Sequence, residues 1–83
     1  MGLWTVYVLR CGDDSLYTGV TTDVERRINE HNHDNKLAAS YTKSRRPVKL
    51  VYSEACKDRS QALKREMGIK KLNRKQKEAL ISK

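Results

Sequence analysis

The sequence contains no phenylalanine, one tryptophan, one proline and two cysteines. It has no apolar run near the ~20 residues that a membrane-spanning helix requires. Cys11 and Cys56 form no Cys-x-x-Cys pair, and two thiols cannot staple a small domain, so both are expected to be reduced and partly buried. With two scattered cysteines and two histidines, His31 and His33, no zinc cluster can be assembled. The start, Met-Gly-Leu-Trp-Thr-Val, lacks the basic and apolar regions of a signal peptide. It also places Val6 where a myristoylation signal wants Ser or Thr. The expectation is a soluble cytoplasmic protein with no membrane partner.

What is present is charge. Of 83 residues, 18 are Lys or Arg and 10 are Asp or Glu, a formal net charge of +8. Residues 1–42 carry four basic and six acidic groups, whereas residues 43–83 carry fourteen basic and four acidic ones. A one-signed field over half of a small chain suits a polyanion, with nucleic acid the first candidate and an anionic membrane surface the second. Hydrophobic residues make up 37%, enough to exclude a chain disordered for lack of apolar side chains. The length allows one domain, residues 1–83 with a core of about 4–81.

Residues 4–10 (WTVYVLR) are β-branched and aromatic in both phases of the alternation, which predicts a strand buried on both faces. A turn cluster at 11–15 leads to a returning strand at 16–20 (LYTGV). Gly19 within it either bends the strand or admits a close approach to the backbone. Thr22 and Glu25 fit a capping box for a helix running to about Asn32. Residues 33–46 read as a long polar loop ended by Pro47, and 48–53 (VKLVYS) as a third strand. Asp58 with Gln61, and Asn73 with Gln76, open two further helices. The order ββαβαα predicts an α/β (α+β) domain, a small antiparallel sheet flanked by helices.

Three groups of residues carry chemistry. On the second helix, Ala62, Leu63, Met67 and Ile69 define an apolar face at about 100° per residue. Glu66 falls inside that face, where a carboxylate needs a metal or an ion pair. Lys70, four residues on, offers the ion pair, and the spacing leaves both readings open. On the first helix, Arg27 and His31 stand at i and i+4 beside the stripe of Val24 and Ile28. They either embrace a phosphate or form a solvated face. Tyr7 and Tyr17, on the two hairpin strands, either pack or present phenols to a phosphate.

Taken together, the segments TVYVLRC, SLYTGVTTDVERR, YTKSRRPVKLVY and REMGIKKL resemble a GIY-YIG nuclease domain. The likeness is greatest to the small single-domain bacterial members and covers about residues 4 to 81. Thr5-Val6-Tyr7 stands at the first half-motif and Tyr17-Thr18-Gly19 at the second. The resemblance implies a three-stranded antiparallel sheet flanked by helices. It also implies phosphodiester hydrolysis with one Mg²⁺ or Mn²⁺. By that resemblance Tyr7 is the general base or water-orienting group, and Tyr17 its partner at the phosphate. Arg27 stabilises transition-state charge, His31 assists proton transfer, Glu66 binds the metal and Gly19 is the motif glycine. Two departures stand out: Thr5 replaces the leading Gly, and Val20 stands where some repair and restriction members have Lys, removing one cation.

No target-recognition domain is expected beside the motif. Lys43, Arg45, Arg46, Lys70, Lys71, Arg74, Lys75 and Lys77 are therefore the candidate nucleic-acid contacts. Contacts of this kind position a backbone without reading sequence, so salt-sensitive, structure- or end-selective binding is expected. The leading expectation is a metal-dependent DNA endonuclease, with repair or recombination as its setting. Two alternatives stay open: a nucleic-acid-binding module with little turnover, and a nuclease that needs a protein partner. For the latter, Ala79, Leu80 and Ile81 of the last helix offer either an interface or core.

Overall fold

The computed structural model describes residues 3–82. Residues 1 and 2, part of the start read for a signal peptide and a myristoylation signal, lie outside them. Strands β1 (Trp4–Arg10) and β2 (Leu16–Thr21) form a hairpin. Helices α1 (Val24–His33) and α2 (Ser40–Lys43) follow, then β3 (Lys49–Cys56), α3 (Arg59–Lys70) and α4 (Arg74–Ile81). The sheet is antiparallel throughout, in the order β2-β1-β3. The expected central strand is therefore β1, and Val6, Tyr7, Val8 and Leu9 are all buried.

The two phases of β1 serve two cores. Val6 and Val8 pack with Cys56, Ala62, Ile69 and Leu80, which seats α3 and α4 on one face of the sheet. Tyr7 and Leu9 pack with Cys11 and Val48, joined by Tyr17 and by Ile28 of α1, on the other. Both cysteines are free and buried. Leu80 belongs to the first core and Ile81 packs against it partly buried, whereas Ala79 is exposed. Among the described residues, no helix is long and apolar enough to cross a membrane.

The hairpin turn closes through Cys11 N–H donating to Ser15 O at 2.8 Å. Asp14 adopts φ 69° there, a left-handed conformation that Asp tolerates better than most residues. The pairing of β1 with β3 shifts between Val8 and Leu9, passing from Val8–Tyr52 to Leu9–Leu50 and leaving an extra residue on β3.

Helix α1 begins one residue later than expected. Its N-cap is Asp23, whose carboxylate accepts from Arg26 N–H at 3.1 Å, rather than Thr22. Strand β2 runs on through Thr21, and the Thr21 hydroxyl accepts from Asp23 N–H at 3.1 Å, fixing the turn of the chain at that point. The caps at Asp58 and Asn73 form as expected, the second as a reciprocal capping box with Gln76. Two other expectations change. Strand β3 extends to Cys56, and the 33–46 stretch contains the one-turn helix α2, which buries Thr42 completely. Met67 is not on the packed face of α3: it is 57% exposed, because Ala62 and Ile69 alone form the buried stripe.

Candidate active site

The site begins at Gly19. Antiparallel pairing sets Gly19 opposite Tyr7 across the β1–β2 ladder. A β-carbon at Gly19 would lie 2.5 Å from the Tyr7 hydroxyl oxygen and 2.7 Å from its Cζ. Of the two roles open to this glycine, the structure selects the close approach: the Tyr7 ring lies across it. Tyr17 pairs opposite Leu9 on the same face, and its ring centroid is 6.5 Å from that of Tyr7.

Helix α1 brings His31 against both tyrosines. Its ring centroid lies 6.0 Å from that of Tyr7 and 5.3 Å, edge-on, from that of Tyr17. The Tyr7 hydroxyl and His31 Nε2 are hydrogen-bonded at 2.9 Å, and His31 Nδ1 bonds Thr42 Oγ1 at 2.8 Å. Burial, reinforced by the nearby Arg27 and Arg46 cations and opposed by Glu30, pushes the His31 pKa down to about 4. Burial, with Tyr17 adding to it, pushes Tyr7 up to about 12, against the pull of Arg27. At neutral pH the pair is therefore a phenol beside a neutral imidazole.

Arg27 lies one turn before His31 on the same helix edge. Its Nη1 donates to Glu30 Oε1 at 2.9 Å and to the Leu37 carbonyl at 2.6 Å. The guanidinium is also near enough for its charge to pull the Tyr7 pKa down. Burial works against its charge, but Glu30 and Tyr7 outweigh this and raise its pKa. Its side chain is 25% exposed, so a fixed cation reaches solvent at the rim.

Glu66 comes from α3, near enough for its charge to bear on Tyr7. Its side chain is 16% exposed, and its Oε2 lies 3.4 Å from Lys70 Nζ, so the ion pair left open by spacing does form. Among the described residues, no group of three or more His, Cys, Asp or Glu side chains gathers as a metal centre. A lone carboxylate still suits Mg²⁺ or Mn²⁺, since such an ion keeps several waters and takes its remaining oxygens from phosphate.

The candidate nucleic-acid residues separate in space. Arg46 turns inward: its Nε donates to His31 O at 2.7 Å, Nη1 to Asn35 Oδ1 at 2.9 Å and Nη2 to Asp34 O at 3.2 Å. It caps the end of α1. Lys43 Nζ donates to Asn35 O at 2.9 Å. Arg45 pairs with Asp13 at 3.1 Å and lies 4.0 Å above the Tyr41 ring, which stacks on Tyr17 at 5.8 Å. Arg74 pairs with Glu78 and Asp14 at the turn end of the hairpin, beside the Arg10–Glu78 pair. Lys71 and Lys75 are exposed, and Lys77 is partly so.

Tyr7, Tyr17 and His31 thus share one region with Arg27 at its edge, Glu66 bears on Tyr7 through its charge alone, and Tyr52 bonds Glu54 elsewhere on the sheet. Three contributors escaped the sequence reading: Thr42, Tyr41 and Glu30. Tyr41 alone had a signal, as an aromatic between basic residues in a polar stretch.

Sheet and side chains together define a class: a small α+β domain in which the tyrosines of two half-motifs, on adjacent strands, meet an arginine and a histidine from the next helix. The chain belongs to the GIY-YIG family, whose catalytic-domain model matches residues 3–79. It is 55% identical over 78 residues to a UPF0213 protein of Desulfotalea psychrophila, covering 94% of this chain and 70% of that one. An archaeal UPF0213 protein, from Halobacterium salinarum, is 51% identical over 76 residues, covering 92% and 96%. Among solved structures, the solution NMR structure of an Enterococcus protein (E. faecalis) is similar with TM-score 0.67 and 42% identity, covering 99% of this chain and 85% of that one. The UPF0213 protein of Bacillus halodurans gives TM-score 0.61 at the same identity, covering 96% and 83%.

Proposed function

We propose that this protein is a metal-dependent endonuclease that hydrolyses phosphodiester bonds in DNA, in repair or recombination. The observation that carries the reading is the buried Tyr7–His31 hydrogen bond at 2.9 Å with the Arg27 guanidinium beside it. A buried phenol bonded to a neutral imidazole, next to a fixed cation, is poorly explained as packing. It is well explained as a device that moves one proton where negative charge develops.

The phenol of Tyr7 is protonated at neutral pH, so it takes a proton from attacking water only while passing its own to His31 Nε2. His31, neutral under the same conditions, is free to receive it. Arg27 holds positive charge where the phosphorane gathers negative charge, and its bonds to Glu30 and Leu37 O keep it there without reorganisation. Tyr17 walls the same space and offers its hydroxyl to a phosphate oxygen. Glu66 would hold the Mg²⁺ or Mn²⁺, which when bound polarises a phosphate oxygen as a Lewis acid. The basic second half of the chain supplies charge for the backbone, with no base-reading element to set sequence preference.

The Lys70–Glu66 ion pair favours a second reading, a nucleic-acid-binding module with little turnover unless a partner or substrate displaces Lys70. One experiment separates the two. The purified protein is incubated with Mn²⁺ or Mg²⁺ and a panel of supercoiled, branched and single-stranded DNA and RNA, with Glu66→Ala as control. Cleavage of DNA that is lost in the control supports the nuclease. Salt-sensitive binding without cleavage of any substrate supports the binding module, and cleavage confined to RNA overturns the DNA assignment.

A further inference from the structure

We infer that Thr42 is a positioning residue that fixes the tautomer of His31, and so the direction in which the proposed site can pass a proton. Its mechanistic consequence rests on the nuclease reading; the tautomer itself does not.

Donors and acceptors around the ring can be assigned one by one. Thr42 is fully buried, and its hydroxyl has two protein partners, the Ala39 carbonyl at 3.0 Å and His31 Nδ1 at 2.8 Å. A carbonyl only accepts, so the single hydroxyl proton goes to Ala39 O. Thr42 Oγ1 is then an acceptor toward the ring, and Nδ1 must carry the hydrogen. A neutral imidazole with Nδ1–H has a bare Nε2, which accepts from the Tyr7 hydroxyl. The far end gives the same answer independently. The Tyr7 hydroxyl is buried and its hydrogen-bond partner among the described residues is His31 Nε2, so its proton goes there. The hydrogen bonds run one way: Tyr7 to His31, His31 to Thr42, Thr42 to Ala39 O. In the reversed chain the 3.0 Å contact of Thr42 Oγ1 with Ala39 O is no longer a hydrogen bond, and the buried Tyr7 proton loses its acceptor. A one-way chain polarises each bond in the same sense, and no buried side-chain polar atom among the described residues lacks a partner.

Helix α2 is what delivers Thr42. Thr42 N–H and Lys43 N–H both donate to Ala39 O, at 3.1 and 3.0 Å, so the single turn carries the hydroxyl under the ring. Val or Ala at this position would keep the turn and leave the ring free to place its hydrogen on either nitrogen.

The test is the tautomer, read by long-range ¹H–¹⁵N correlation on protein labelled at histidine, with His33→Gln to assign the two rings. In the otherwise wild-type chain at neutral pH, His31 should show a protonated Nδ1 and a bare Nε2. Tyr7→Phe should keep that pattern, because Thr42 rather than Tyr7 sets it. Thr42→Val should shift it toward the other tautomer or a mixture, and Thr42→Ser should restore it. With a cleaved substrate in hand, Thr42→Val should lower kcat by about 10–100-fold with little change in KM, the scale seen when an orienting partner of a histidine is removed. Thr42→Ser should stay within about threefold of wild type. A protonated Nε2 in the wild-type ring, or loss of the pattern in Tyr7→Phe, overturns the inference. So does a Thr42→Val protein that keeps the pattern. Should no variant cleave anything, the tautomer pattern still decides the role of Thr42, while the nuclease reading alone falls.

Discussion

The Tyr7 hydroxyl occupies the space that a β-carbon on Gly19 would need: the two would stand 2.5 Å apart. The residue that most closely limits the motif glycine is thus the motif tyrosine across the ladder. Gly19→Ala must displace the ring, and the ring is tethered to His31 at 2.9 Å. The expected outcome is a folded protein destabilised by about 1–3 kcal/mol, the usual cost of overpacking. Cleavage should fall far more than stability does. Urea denaturation and a cleavage assay on the same preparation check both.

Acid should weaken the fold through His31. The imidazole is buried neutral, with its pKa lowered from the usual 6.5 to about 4. Between those values the unfolded chain binds a proton that the folded one refuses, so stability rises with pH across the window and is lost as pH falls from about 6.5 toward 4. The gap corresponds to roughly 3 kcal/mol when fully developed. His31→Gln should flatten that part of the profile. Thermal melts from pH 7 to pH 4 on the wild-type and variant proteins measure the difference.

How far the sequence could be read depended on whether a residue's partner was local. Strand β1 announced its central place because both phases of its alternation are apolar, and Asp58 and Asn73 capped their helices because a cap is a contact over three residues. The start of α1 slipped by one because Asp23, which accepts from Arg26 N–H, competes with Thr22 for the N-cap position, and the run of β2 through Thr21 decides between them. Met67 misled because the helical wheel cannot give the width of the stripe that the sheet covers. The gathering of Tyr7, Tyr17, Arg27 and His31 was legible only through the family resemblance, since their spacing allowed a solvated face equally well. Thr42 was invisible. It sits in a polar stretch without periodicity, and its partner lies eleven residues back.

Arg27 offers a sharp contrast between charge and shape. Its guanidinium makes two bonds from one nitrogen, to Glu30 and to Leu37 O, while facing Tyr7. Lysine keeps the charge as a single point and lacks the planar guanidinium's further nitrogens, which here are left over for a phosphate once Nη1 is committed. Arg27→Lys and Arg27→Ala should therefore both lower kcat, on the order of 10²–10³-fold for the alanine, as removal of one preorganised donor does. The lysine variant should recover only part of the loss. A lysine variant with full activity would reduce the role of Arg27 to net charge. Steady-state kinetics with saturating Mn²⁺ makes the comparison.

The eight basic candidates should divide into two groups under mutation, and the division follows from where their nitrogens are already committed. Arg46 gives three bonds to the end of α1, one of them to the His31 carbonyl, so it holds the very turn that presents the imidazole. Arg46→Ala should cost about 1.5–3 kcal/mol, the range for bonds made by a charged donor, and should disturb the site with it. Lys71 and Lys75 are exposed, just before and at the start of α4, where a cation is free to meet a phosphate. Substituting either by Gln should leave the melting temperature nearly unchanged. It should weaken DNA binding alike for every sequence and flatten the plot of log affinity against log salt by about 0.9 for each duplex phosphate no longer neutralised. Fluorescence anisotropy across a salt series, set beside thermal melts, assigns each residue to one group. If Arg46→Ala alters only the salt slope, its bonds to α1 are dispensable; if Lys71→Gln and Lys75→Gln leave the slope untouched, the duplex lies on another face of the domain.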